Sequence, residues 1–189
     1  MGLKNRTLLQ GLNVLVFVST ALLSAPAHSV SPTEYQVKAA FIYNFAKFVE
    51  WPAEALPENR PFVIGIIGHD PFGGLIDEAI SGKTVRDRKI VVNRFSKIED
   101  AVDSHILFIG DSDGENVARI LKRLGKAPIL TVSDMERFAD EGGMVQLVTD
   151  QNRVRFAVNV AAVDRAGLKP SSQLLKLARI VNGPTQKAE

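Results

Sequence analysis

The chain has 189 residues, with 23 lysines and arginines against 21 aspartates and glutamates, and no cysteine. Lys4 and Arg6 stand in an N-terminal stretch without acids, and setting them aside leaves 21 charges of each sign. A body so balanced has no global field to draw in nucleic acid, and without cysteine there are no disulfides, no thiol catalysis and no lipid attachment at an N-terminal cysteine.

Met1 to Ala27 has the three-part form of a secretory signal peptide: a short basic start, an apolar run from Leu8 to Leu23, and the small-residue site Ala25-Pro26-Ala27. Gln10, Asn13, Ser19 and Thr20 interrupt the run, which is short for a membrane span of ~20 apolar residues. Cleavage after Ala27 predicts an exported protein beginning at His28. Residues 28–183 then suit one domain with its own core, and residues 184–189 a flexible tail.

Glu34 to Pro52, EYQVKAAFIYNFAKFVEWP, gathers Tyr35, Phe41, Tyr43, Phe45, Phe48 and the only tryptophan, Trp51. At helical spacing Tyr35, Val37, Phe41, Ile42, Phe45, Phe48 and Val49 share a broad apolar face, with Gln36, Tyr43, Asn44, Lys47 and Glu50 opposite. Ser31 as cap, Pro32 at the first helical position and Glu34 three residues after the serine predict the start, and Pro52 predicts an end near Glu50. Lys38 falls inside the apolar arc. An ion pair with Glu34 one turn earlier and an outward-bending stem would let it escape burial. Packing on a sheet accounts for most of this face, while Phe48 and Trp51, with Asn44 and Lys47 beside them, are candidates for meeting a partner.

Strand and helix then alternate. Phe62 to Ile67, Ile90 to Asn93, Ile106 to Ile109 and Pro128 to Val132 read as buried strands. Between and after them come short helices at Leu75 to Ile80, Glu115 to Leu124 and near Met135 to Ala139. Met144 to Thr149 is separated by Asp150-Gln-Asn152 from Arg153 to Val160, which alternates with period two; this predicts an antiparallel hairpin at the sheet edge with Arg153 and Arg155 on its exposed face. Gly167 is a helix stop and Ser171 a cap, with Ser172 to Val181 a closing amphipathic helix. The fold class expected is α/β: a single-domain three-layer sandwich whose mostly parallel sheet ends in a C-terminal antiparallel hairpin, with a long N-terminal helix packed on it.

The chemical motifs fail one by one. Ser81-Gly-Lys-Thr84 has Asp77 where a phosphate loop needs glycine, and it closes a helix instead of opening one. Gly65, Gly68, Gly73 and Gly74 lack dinucleotide spacing. Asp70 and Asp111 stand at strand ends as in a phospho-acceptor receiver, but the second acid and the lysine of that site are missing. His28, His69 and His105 are scattered, and capping explains Asp111, Asp113 and Glu115, so no metal site is expected. No catalytic residue and no cofactor follow from the sequence, which leaves binding. In an open α/β sheet the default ligand crevice lies beyond the carboxyl ends of the strands, here at Gly68, Gly73, Gly74, Asp111 and Ser133.

Five segments, EYQVKAAFIYNFAKFVEWP, IGIIGHDPFGGLIDEAISGKTV, SHILFIGDS, ILTVSDMERFADEGGMVQLV and NRVRFAVNVAAVDRAGLKPSSQLLKLARIV, cover nearly all of the chain after the leader. In them the sequence resembles the YfiR family of periplasmic regulators. The resemblance implies an export signal, an α/β domain and a non-enzymatic role. Relatives hold an inner-membrane diguanylate cyclase inactive by binding its periplasmic sensor region, which lowers cyclic di-GMP and suppresses biofilm formation. The partner so implied is such a sensor region, with a second copy of the chain and a small-molecule signal left open. The alternative is a periplasmic small-molecule binding protein that presents its ligand to a sensor kinase or an outer-membrane receptor. Relatives often carry a cysteine where this chain has Ser104, and others that form disulfides; with none here, a redox-controlled switch has no support.

Overall fold

The computed structural model describes residues 33–111 and 117–182. The leader, the tail, Ser31, Pro32, Asp113 and Glu115 lie outside the described residues. Helix α1 (Glu34–Phe48) is capped by Thr33, whose side chain accepts from the Gln36 amide while the Gln36 side chain accepts from the Thr33 amide at 2.6 Å. That is a capping box two residues later than the serine-based reading, made by threonine and glutamine. The helix also stops earlier, at Phe48, because Val49 turns extended and the Phe48 carbonyl accepts from the Ser171 amide at 2.8 Å. Val49–Glu50 (β1) then pairs antiparallel with Lys169–Pro170 (β9), tying the end of α1 to the C-terminal third of the chain.

The remaining elements follow in order: β2 (Phe62–Ile67), α2 (Leu75–Ile80), β3 (Thr84–Val85), β4 (Arg88–Phe95), β5 (Ile106–Ile109), α3 (Val117–Leu124), β6 (Leu130–Ser133), β7 (Val145–Asp150), β8 (Arg153–Asn159), α4 (Val160–Arg165), α5 (Ser172–Leu177) and β10 (Arg179–Val181). Eight strands form one mixed sheet in the order β10-β8-β7-β6-β5-β2-β4-β3. The run β4-β2-β5-β6-β7 is parallel, and the β7–β8 hairpin is antiparallel across Gln151 and Asn152, both at positive φ as a two-residue turn requires.

Three expectations are corrected. Met135 to Ala139 forms turns, not a helix. The closing helix ends at Leu177, where Ala178 turns extended, and Arg179–Val181 joins β8 as a parallel strand. The hairpin is therefore not the outermost pair, although β10 covers β8 only from Ala157 to Asn159.

Period-two burial divides the core into two layers. Ile64, Ile66, Ile106, Phe108, Val132, Val145, Leu147, Phe156 and Val158 pack with α1, α2, α4 and α5, whereas Ile67, Leu107 and Ile109 face Ile120 and Leu124 of α3 together with Phe138. The aromatic helix covers the larger of these cores. Phe41, Phe45 and Phe156 pack ring to ring at 5.2 to 6.1 Å between centroids.

Candidate functional site

At the carboxyl end of the sheet the chain's own charges close upon one another. Lys38 is 4 % exposed, so the expected escape from burial does not occur. Its ammonium reaches Glu34 at 2.6 Å as expected, and also Asp134 at 2.7 Å, just past β6. Burial opposes the charge on Lys38, but the hydrogen bonds to Asp134 and Glu34 outweigh it, and its pKa is raised. The Lys38 bond, aided by one from the Thr149 hydroxyl at 2.7 Å, lowers the pKa of Glu34. Tyr35 donates to Asp134 at 3.1 Å, and burial first, then the nearby aspartate, raises its pKa.

The loop after β2 is held in the same manner. Asp70 accepts from the amides of Phe72 and Gly73, and Arg94 of β4 bridges Asp70, Asp77 and the Gly73 carbonyl at 2.6 to 2.9 Å. The Asp70 hydrogen bond raises the pKa of Arg94 above its already high value. The His69 amide donates to the Asp111 carbonyl at 2.9 Å, and a side chain at Gly110 would stand 1.9 Å from the His69 carbonyl oxygen. Of the expected ligand residues, Gly68, Gly73, Gly74 and Asp111 are exposed on these loops, while Ser133 is fully buried with its hydroxyl donating to the Ile109 carbonyl at 2.7 Å. The loops after β2 and β5 meet main chain to main chain where the crevice was expected.

Two clefts lie at the other end. A cleft of about 410 Å³ is lined by Arg60, Val63, Asn93, Asp103, His105 and neighbours, and one of about 600 Å³ by Glu58, Arg60, Asp87, Lys89 and neighbours. Both sit where β2, β4 and β5 begin. His105 closes the inner wall. Its Nδ1 accepts from the Val63 amide and its Nε2 donates to the Ala55 carbonyl, both at 2.9 Å, while its ring stacks on Phe62. Burial pushes its pKa down, so the ring is held neutral.

The partner candidates separate into interior and surface. Trp51 is 5 % exposed, donates to the His105 carbonyl at 3.2 Å and packs edge-on against Phe62. It supports the surface from beneath. Asn44 and Phe48 are half-buried and Lys47 is exposed, its ammonium 5.6 Å from the Tyr43 ring and 5.7 Å from the Phe48 ring. Lys83 stands over the other side of this patch, 4.6 Å from Tyr43. On the far side of the molecule Arg153 and Arg155 are exposed in β8, and the ladder places Arg179 across from Ala157 on their face. Leu177 at 74 % and Ile180 at 49 % exposure lie in the same C-terminal segment. A helix continued to Val181 would place Leu177 on its apolar face; with the helix ending at Leu177, that side chain is exposed instead.

A family model described as YfiR/HmsC-like matches residues 35–179, from the first turn of α1 to the first residue of β10. The chain belongs to this family. No curated protein matches it. In this YfiR/HmsC-like chain Ser104 is 4 % exposed beside Gly65, and its hydroxyl has no hydrogen-bond partner among the described residues. No helix among the described residues is long and apolar enough to cross a membrane.

Proposed function

We propose that this protein is a non-enzymatic periplasmic regulator that binds the sensor region of an inner-membrane signalling protein, a diguanylate cyclase, and holds it inactive. The observation that carries the reading is membership of the YfiR/HmsC-like family over residues 35–179. Export by a cleaved leader at residues 1–27 belongs to the same proposal. The regulator acts by preferring the inactive sensor conformation. Shifting a two-state equilibrium from 1:99 to 99:1 requires about 5.5 kcal/mol of differential affinity, which an ordinary protein interface supplies.

The candidate contact surfaces are the α1 patch of Asn44, Lys47 and Phe48 and the hairpin face of Arg153 and Arg155. Deleting the gene and measuring cellular cyclic di-GMP tests the regulator. A rise is expected, and unchanged levels across growth conditions would defeat the cyclase reading. A second reading, in which a small molecule binds and is presented to a membrane sensor or acts as the releasing signal, is favoured by the 410 Å³ cleft beside His105. Native mass spectrometry of the purified protein tests it: a bound metabolite lost on Arg60→Ala substitution supports the cleft, and a bare mass removes it.

A further inference from the structure

The outer half of β8 is an edge with no covering strand among the described residues. β7 pairs with it from Arg153 to Val158, whereas β10 pairs on its other side only from Ala157 to Asn159. The Asn159 amide donates to the Met144 carbonyl on the β7 side at 2.9 Å. By strand alternation the main-chain groups of Val154 and Phe156 therefore point the other way, where the β10 register engages the Phe156 carbonyl and leaves the Val154 groups and the Phe156 amide beyond its end. Val154, Phe156 and Val158 turn their side chains into the α1 core, so Arg153, Arg155 and Arg179 share the opposite face. All three arginines are exposed, and none takes part in an ion pair among the described residues. Ile180, in register with Val158 and hence on Val154's face, is 49 % exposed.

We infer that this edge takes up an extended, acidic segment of a protein partner as an added strand. The segment's main chain bonds to both main-chain groups of Val154 and to the Phe156 amide, its carboxylates meet the three arginines, and its alternate apolar residues lie along Val154 and Ile180. Charge selects the occupant. A second copy pairing antiparallel at this edge would set Arg155 against Arg155 when centred there, or Arg153 against Arg155 when centred on Val154, and like charges directly opposite are destabilising. The same row that repels a twin complements carboxylates. The inference deepens the regulator reading and rests on it for the identity of the partner, but the edge itself is tested alone.

Amide hydrogen exchange by NMR on the full chain, titrated with a blocked hexapeptide of alternating glutamate and valine, reads the edge residue by residue. The expected result is slowed exchange at Val154 and Phe156, weakened by salt and weakened about tenfold or more in the Arg153→Glu/Arg155→Glu variant. The neutral Arg153→Gln/Arg155→Gln variant should fall between, with circular dichroism unchanged in both. No protection, or equal protection by a lysine–valine peptide, overturns the proposal. So does binding to phosphatidylglycerol vesicles in place of the peptide, or an Arg155→Val variant that dimerises while the parent takes no peptide, since the arginines would then be edge guards alone. Cellular cyclic di-GMP separates the two claims. A rise on gene deletion with no peptide binding removes only the edge, and unchanged cyclic di-GMP with intact peptide binding removes only the regulator.

Discussion

The carboxyl end of the sheet and the outer hairpin carry the same kinds of charge and use them in opposite ways. Lys38 lies between Glu34 and Asp134, and Arg94 between Asp70 and Asp77, so both cations are answered by carboxylates of this chain. Arg153, Arg155 and Arg179 stand exposed without such partners among the described residues. Charges spent inside the fold serve to position loops and helix α1. On the proposal made above, the unpaired charges on the open strand serve recognition, their carboxylates coming from another molecule.

The comparison breaks most visibly in the interior. Trp51→Ala should cost about 4 kcal/mol in denaturant unfolding, since it empties a packed site and removes the longer of two hydrogen bonds to the His105 carbonyl, which the Leu130 amide also reaches at 2.8 Å. Loss of partner binding in that variant would report unfolding, not a contact. Lys38→Ala should cost about 3 kcal/mol by leaving Asp134 uncompensated beside α1. If it unfolds at the wild-type midpoint, the carboxyl end is not the locked region described.

Acid sharpens the contrast further. The pKa of His105 in the folded chain lies below its ordinary 6.5, so protons favour the unfolded chain once the pH drops below that value. Glu34, lowered from 4.5, adds loss in the same direction at lower pH, while Lys38, raised from 10.5, keeps its contribution until strongly alkaline pH. The melting temperature should therefore hold from near neutrality into the alkaline range and fall between pH 7 and pH 5, and His105→Gln should flatten that fall while starting from a less stable protein. A melting temperature that is level to pH 5 would remove His105 as a buried neutral group. Ser104→Ala should gain about 1 kcal/mol by deleting an unpaired buried hydroxyl. Arg155→Ala, at the exposed end of the comparison, should change stability by less than about 0.5 kcal/mol.

Much of the fold was legible in the sequence for physical reasons. β2 and β5 are short apolar runs ending in glycine, and the hairpin shows period-two alternation across a polar turn, so local pattern and global position agree. Lys38 was misjudged because its second partner, Asp134, lies 96 residues away, and no local spacing announces such a pair. Leu174 to Val181 is apolar enough to satisfy either a helix or a strand. Its break at Leu177 is set by β8 offering an edge, a tertiary fact. The exposure of Arg153 and Arg155 was legible from alternation alone. Trp51 was not separable from the surface, since an aromatic side chain serves a core and an interface equally well.

The most direct measurement is cellular cyclic di-GMP in a deletion strain complemented with the wild-type gene or with the Arg153→Glu/Arg155→Glu variant, whose exported protein is checked for wild-type abundance and melting temperature. The account predicts that deletion raises cyclic di-GMP, that the wild type restores it, and that the folded variant leaves it as high as deletion does. Restoration by the variant to the wild-type level would contradict the claim that the unspent arginines carry recognition.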